Sequence, residues 1–169
     1  MTERIRILVM LAVTVIILIA VNNQIVDKEM IVRHGTTVLL RLAPADPRSF
    51  IQGDYMSLRY AMTNDVARAA EAAGLDDGVA VIERGERDEA KFVAVYDGQN
   101  LADDQFLLRF RKRGESVRIA SDAFFFEEGQ ANLYSGARFG ELRVADDGDA
   151  VLTGLRDNGG IRLGEPLHR

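Results

Sequence analysis

The stretch Asp46-Pro47-Arg48-Ser49-Phe50-Ile51-Gln52-Gly53-Asp54-Tyr55-Met56-Ser57-Leu58-Arg59-Tyr60 reads as a turn followed by a strand. Asp-Pro starts turns, and Gly53-Asp54 closes the loop with residues that tolerate positive φ. From Asp54 the chain alternates. Successive strand side chains point to opposite faces, so Met56, Leu58 and Tyr60 are assigned to a core face and Tyr55, Ser57 and Arg59 to a wetter one. The predicted strand runs from Asp54 to Met62.

Upstream lies the segment that sets the location. Ile7 to Val21 is an unbroken apolar run of 15 residues in which Thr14 is the polar exception. At about 1.5 Å per residue it reaches roughly 22 Å, short of a hydrocarbon core of about 30 Å, and Ile5, Ile25 and Val26 extend it to a full span. Arg4 and Arg6 flank the N-terminal side, and Asn22-Asn23-Gln24 the other. The positive-inside rule then places the N-terminus in the cytoplasm and the remainder outside. A cleaved signal peptide has the same charged start and apolar stretch. Here no small-x-small site follows, because Leu18-Ile19-Ala20 is bulky where a small residue is needed, so an uncleaved anchor is the preferred reading.

The 169-residue chain has a net charge of −5 and no cysteine. Without the first 22 residues, which hold Glu3, Arg4 and Arg6, 19 basic and 25 acidic residues remain, a net of −6. That balance argues against nucleic acid as a partner. The absence of cysteine excludes disulfides, zinc thiolates and cysteine nucleophiles. His34 and His168 are too far apart in the chain to suggest a metal site or a triad. No P-loop or dinucleotide fingerprint is present, and no cofactor is expected.

The expected organisation is residues 1–27 as cytoplasmic tip and membrane anchor, 28–35 as stalk or helix end, 36–164 as an extracytoplasmic β-rich domain, and 165–169 as a tail. Within 36–164, Thr36 to Ala43 is a strand. Asn64 is expected to cap a helix from Asp65 to about Ala73 that Gly74 ends. Short strands follow at Val79–Glu83, Lys91–Tyr96, Gln105–Arg113 and Ser116–Ile119. Gln130–Ser135 is a turn of helix, and Arg138–Ala145 with Ala150–Leu155 is a hairpin around Asp146-Asp147-Gly148-Asp149. Ile161–Leu163 is a last strand. The fold class is therefore α+β: one transmembrane helix, then a mainly antiparallel β-rich or barrel-like domain with one clear helix.

The octet Gly53-Asp54-Tyr55-Met56-Ser57-Leu58-Arg59-Tyr60 resembles, letter for letter, the Gly-Asp-Tyr-x-x-Leu-x-Tyr pattern of the GDYXXLXY family, and Asp46-Pro47-Arg48 is similar to that family's lead-in. The likeness extends from about Lys28 to about Leu155. The family consists of small membrane-anchored bacterial proteins of unknown function, so the resemblance implies no chemistry. It does imply a multi-pass membrane protein as partner, since such proteins are often encoded beside family members.

The candidate binding residues are Asp46, Arg48, Gly53, Asp54, Tyr55, Leu58, Arg59 and Tyr60. Asp46 and Asp54 can be structural, fixing turns and pairing with Arg59, or can work as an acid–base pair. No catalytic residue is assigned. Membrane-anchored signal peptidases use a Ser–Lys dyad, but their signature after the anchor is replaced here by Met30-Ile31-Val32-Arg33-His34. The row Arg109, Arg111, Lys112, Arg113 and Arg118 is read by default as the solvated face of a sheet, with an anionic lipid headgroup or an acidic partner as the alternative. Phe124-Phe125-Phe126 cannot all face one way, so at least one ring needs a cover from the helix or a partner.

The reading that follows is a non-catalytic accessory or binding protein. It is held in the bilayer through residues 7–21, at the outer, periplasmic face of the bacterial cytoplasmic membrane, beside an integral membrane partner. The alternatives are an envelope enzyme with its site around Asp46, Asp54 and Tyr55, or a receptor for a small ligand.

Overall fold

The computed structural model describes residues 2–43, 51–52, 55–114 and 116–165. Helix α1 covers Thr2–His34, 33 residues without a break, or about 50 Å. From Ile5 to Val26 its large apolar side chains are all exposed. By length and composition it can cross a membrane. The Thr14 hydroxyl donates to the carbonyl of Met10 at 2.9 Å, so the polar group of the apolar run is satisfied within the helix, as lipid surroundings require. The end of α1 is docked. Ile31 is buried, Lys28 Nζ lies 2.8 Å from Asp149 Oδ2, and the N–H of Gly35 donates to Ile31 O at 2.8 Å.

Eleven strands follow among the described residues. They are β1 (Thr36–Arg41), β2 (Ile51–Gln52), β3 (Tyr55–Ser57), β4 (Asp77–Arg84), β5 (Glu89–Val95), β6 (Gln105–Arg113), β7 (Ser116–Ile119), β8 (Ala123–Phe125), β9 (Phe139–Val144), β10 (Ala150–Arg156) and β11 (Arg162–Leu163). Eight form one sheet in the order β11-β10-β9-β1-β5-β4-β6-β7, and β2-β3-β8 form a second. All pairs are antiparallel except β1 with β5. The class is α+β with a mostly antiparallel sheet.

The large sheet coils on itself. β6 and β9 are separated in it by β1, β5 and β4, yet the β9–β10 turn reaches β6, where the N–H of Arg109 donates to Gly148 O at 2.8 Å. Strand twist accumulated over several strands produces this curl. Val38, Leu40, Ile82, Leu108, Leu142 and Leu155 fill the interior, each fully buried. Leu39 is buried too, so β1 is covered on both faces, as a strand with a parallel neighbour tends to be.

Helix α2 (Thr63–Ala72) lies against β5 and β7 and inserts Val66 and Ala70. Its start corrects the expected cap: the helix begins at Thr63 with Met62 at the N-cap position and no side-chain cap bond, leaving Asn64 inside the first turn. Its end follows the glycine. Gly74 has φ +67°, its N–H reaches Glu71 O, and the N–H of Leu75 reaches Ala70 O at 2.9 Å, the Schellman pattern. A four-residue helix, α3 (Ala131–Tyr134), precedes β9.

Candidate functional site at the motif strand

The motif strand is shorter than its alternation suggests. Regular pairing ends at Ser57, but the in–out pattern continues. Met56, Leu58 and Tyr60 are buried, Tyr55 is half-buried, and Ser57 and Arg59 are exposed. The pattern outlasts the strand because Tyr60 is gripped separately. It bridges to Leu42 on the way out of β1, with Ala61 N–H donating to Arg41 O and Ala43 N–H to Arg59 O. Its hydroxyl donates to Ser121 O at 3.0 Å. Burial, and then the charge of Asp122, pushes this phenol well above its ordinary value, so it stays a donor. Leu58 is in the same core, and its N–H is held by Asp122 O at 2.8 Å. Leu58 and Tyr60 are therefore framework residues that tie the second sheet to the first.

Asp46, Arg48, Gly53 and Asp54 lie outside the described residues. What can be placed beside them is Tyr55, which stands opposite Phe125 in the β3–β8 register. The two rings are 5.7 Å apart, tilted by 38°, within the range of a favourable aromatic pair. Phe125 is 70% exposed. The neighbouring rings turn inward: Phe124 packs edge-on against Tyr134 at 5.0 Å, and Phe126 stacks on it at 5.1 Å. Alternation across β8 thus separates the three phenylalanines, with α3 covering two of them and Phe125 uncovered.

A second polar centre is one that sequence reasoning missed. Glu141 on β9 is buried and held by two guanidinium groups, Arg156 Nε at 2.5 Å from Oε2 and Arg162 Nη1 at 2.9 Å from Oε1. The Thr153 hydroxyl donates to Glu141 O at 3.2 Å, and Arg162 Nη2 donates to Thr153 O. A bulge at Leu152/Gly154 shifts the register here. Gly154 makes room for the arginine, since a Cβ on it would stand 2.6 Å from Arg162 Nη2. The site has a structural logic: one buried carboxylate locks β9, β10 and β11 together. Among the described residues no group of three His, Asp or Glu side chains is placed to share a metal ion.

The family model described as GDYXXLXY protein matches residues 17–155. The chain belongs to the GDYXXLXY family. The match starts inside α1 and ends in β10, so it takes in the last turns of the helix together with the sheets. No curated protein and no solved structure matches the chain. Of the family's named positions, Leu58 and Tyr60 are interior, and Tyr55 is on the outward face of the second sheet.

Proposed function

We propose that this GDYXXLXY protein is a non-catalytic, membrane-anchored binding protein whose Tyr55–Phe125 face contacts an integral, multi-pass membrane partner. In this reading α1 is an uncleaved anchor with its N-terminus in the cytoplasm. Residues 36–164 form a domain at the outer face of the bacterial cytoplasmic membrane. The observation that carries the reading is the Phe125 ring, exposed beside Tyr55 on a strand whose other rings are packed away. Aromatic side chains of this kind anchor interfaces because they cover much apolar area at low entropic cost. The docked end of α1 supports it as well, because Ile31 is buried and Lys28 pairs with Asp149 at the surface of the domain. Asp46, Arg48, Gly53 and Asp54 lead into the same strand in sequence and are assigned to the contact surface with Arg59.

The test is affinity purification of the full chain from gently solubilised membranes, comparing wild type with Tyr55→Ala and Phe125→Ser. Co-purification of a multi-pass protein with wild type and its loss with both variants supports the reading. Equal recovery with all three, or no partner at all, contradicts it.

A further inference from the structure

Three concavities meet at Lys28, the first cation after the apolar stretch of α1. One is a groove of about 840 Å³ between α1 and β10, with Val21, Ile25, Val32 and Val151 among its walls. A second, of about 410 Å³, runs between β8 and β10 past Phe124 and Phe125. The third, of about 310 Å³, is basic, and Arg109, Arg111, Arg113 and Arg118 surround it.

The basic concavity is unusual for a chain of net charge −5. Arg111 stands directly opposite Arg118 across the β6–β7 pair, an arrangement of like charges that disfavours the sheet. Arg109 is partnered by Asp147, Arg118 by Asp122 and Lys28 by Asp149. Arg111 and Arg113 have no ion pair among the described residues, and Asp77 stands opposite Arg111 on β4. Five Lys and Arg side chains against two carboxylates, Asp122 and Asp149, therefore line a cavity next to an apolar groove.

Its height above the bilayer decides what it suits. Lys28 is two residues beyond Val26, or about 3 Å along the helix, at the level where Lys and Arg meet headgroups. The groove beside α1 runs from Val21, inside the apolar span, to Arg33, and shares Lys28 with the basic cavity. An acyl chain entering from the bilayer would bring its phosphate to the arginines.

We propose that the junction of α1 with the sheet is a binding site for one anionic phospholipid, its phosphate held by Arg111 and Arg113 with Lys28 and its acyl chain lying against Ile25 of α1 and Val151 of β10. The site adjoins the Tyr55–Phe125 face, since Lys28, Val151 and Phe125 line one concavity, but it needs no protein partner, though it rests on α1 spanning a bilayer. The expected preference is for a negative headgroup, since polybasic clusters at a membrane surface gain from each Lys or Arg.

The experiment is native mass spectrometry of the full chain in detergent, titrated with phosphatidylglycerol, phosphatidylcholine or glycerol phosphate. The variants are Arg111→Ala/Arg113→Ala, which changes exposed side chains, and Val151→Asp, which alters the groove and leaves the arginines in place. Thermal unfolding of each variant checks that it is folded. Wild type should retain one phosphatidylglycerol in preference to phosphatidylcholine, and the double variant should retain about 30-fold less, at roughly fivefold per basic residue. Val151→Asp should also weaken retention. Equal retention of the two lipids, or a double variant that behaves as wild type, overturns the proposal. Binding of glycerol phosphate as tightly as the lipid, unaffected by Val151→Asp, would identify a free-phosphate site and overturn it as well.

Discussion

The ring of Tyr60 lies against Gly140: a Cβ built on the glycine would be 3.0 Å from Tyr60 Cε1. This contact joins the end of the motif to β9, in the middle of the large sheet, while the Tyr60 hydroxyl reaches Ser121 O on the way to β8. The last residue of the motif is thus a three-way tie. Tyr60→Phe should cost about 1 kcal/mol by removing a buried hydrogen bond and leaving Ser121 O without that donor. Tyr60→Ala should cost about 3–5 kcal/mol through the cavity it leaves. Urea unfolding of the full chain in detergent measures both.

Glu141→Ala should be more damaging than its single charge suggests. It would leave Arg156 and Arg162 without their anion under β9 and β10. Breaking one side of a buried ion pair costs about 3–5 kcal/mol. The arginines keep some solvent contact, so a value at the lower end of that range is expected in the same unfolding assay. Glu141→Gln, which keeps the shape and a carbonyl acceptor, should lose less.

These two sites mark what was readable in the chain and what was not. β6 and β7 have the bounds expected for them, Gln105–Arg113 and Ser116–Ile119. The β9–β10 hairpin forms around Asp146–Asp149, where Gly148 has φ +86°, and α2 ends at Gly74. Local signals sufficed because turn glycines and strict alternation act over a few residues. The parallel β1–β5 pairing was not readable, because nothing in either strand names its neighbour. Glu141 was missed for the same reason. A lone acid in a strand reads as solvent-facing, and only the bulge at Leu152/Gly154, together with Arg162 from β11, buries it. At the motif, the in–out assignment of Tyr55 to Tyr60 was legible, while Phe125 as the neighbour of Tyr55 depends on β3–β8 pairing over more than sixty residues of chain.

Gly35→Ala should loosen the junction between α1 and the sheet. A Cβ there would be 2.5 Å from Ile31 O and 3.0 Å from Val144 O, and both neighbours are backbone. Overpacking of this kind costs about 1–3 kcal/mol. Thermal unfolding should show the loss, and faster proteolysis near residue 35 should show that it is located at the junction.

Acid should weaken the β1–β5 pairing. Arg41 makes two hydrogen bonds to Glu89, at 2.8 and 3.3 Å, and this guanidinium holds the Glu89 carboxyl below its usual range, with burial opposing. The unfolded chain therefore binds the proton first as pH falls. The stabilisation is fully present above about pH 4.3, the unfolded value, and is lost as pH drops through the lower folded one. Urea unfolding between about pH 2 and 7 should show less acid loss for Arg41→Gln than for wild type. Identical pH profiles would mean that the pair adds nothing to stability.

Both proposed sites depend on α1 staying attached and holding the sheets outside the cytoplasm. The chain has no cysteine, so single substitutions report position without background. Thr2→Cys and Gln99→Cys, the second in an exposed loop, can be treated in intact cells with a membrane-impermeant maleimide. The expected result is labelling of Gln99→Cys in intact cells, labelling of Thr2→Cys after lysis alone, and a full-length membrane-bound chain in both. Labelling of Thr2→Cys from outside, protection of Gln99→Cys, or a shortened soluble product lacking α1 would contradict it.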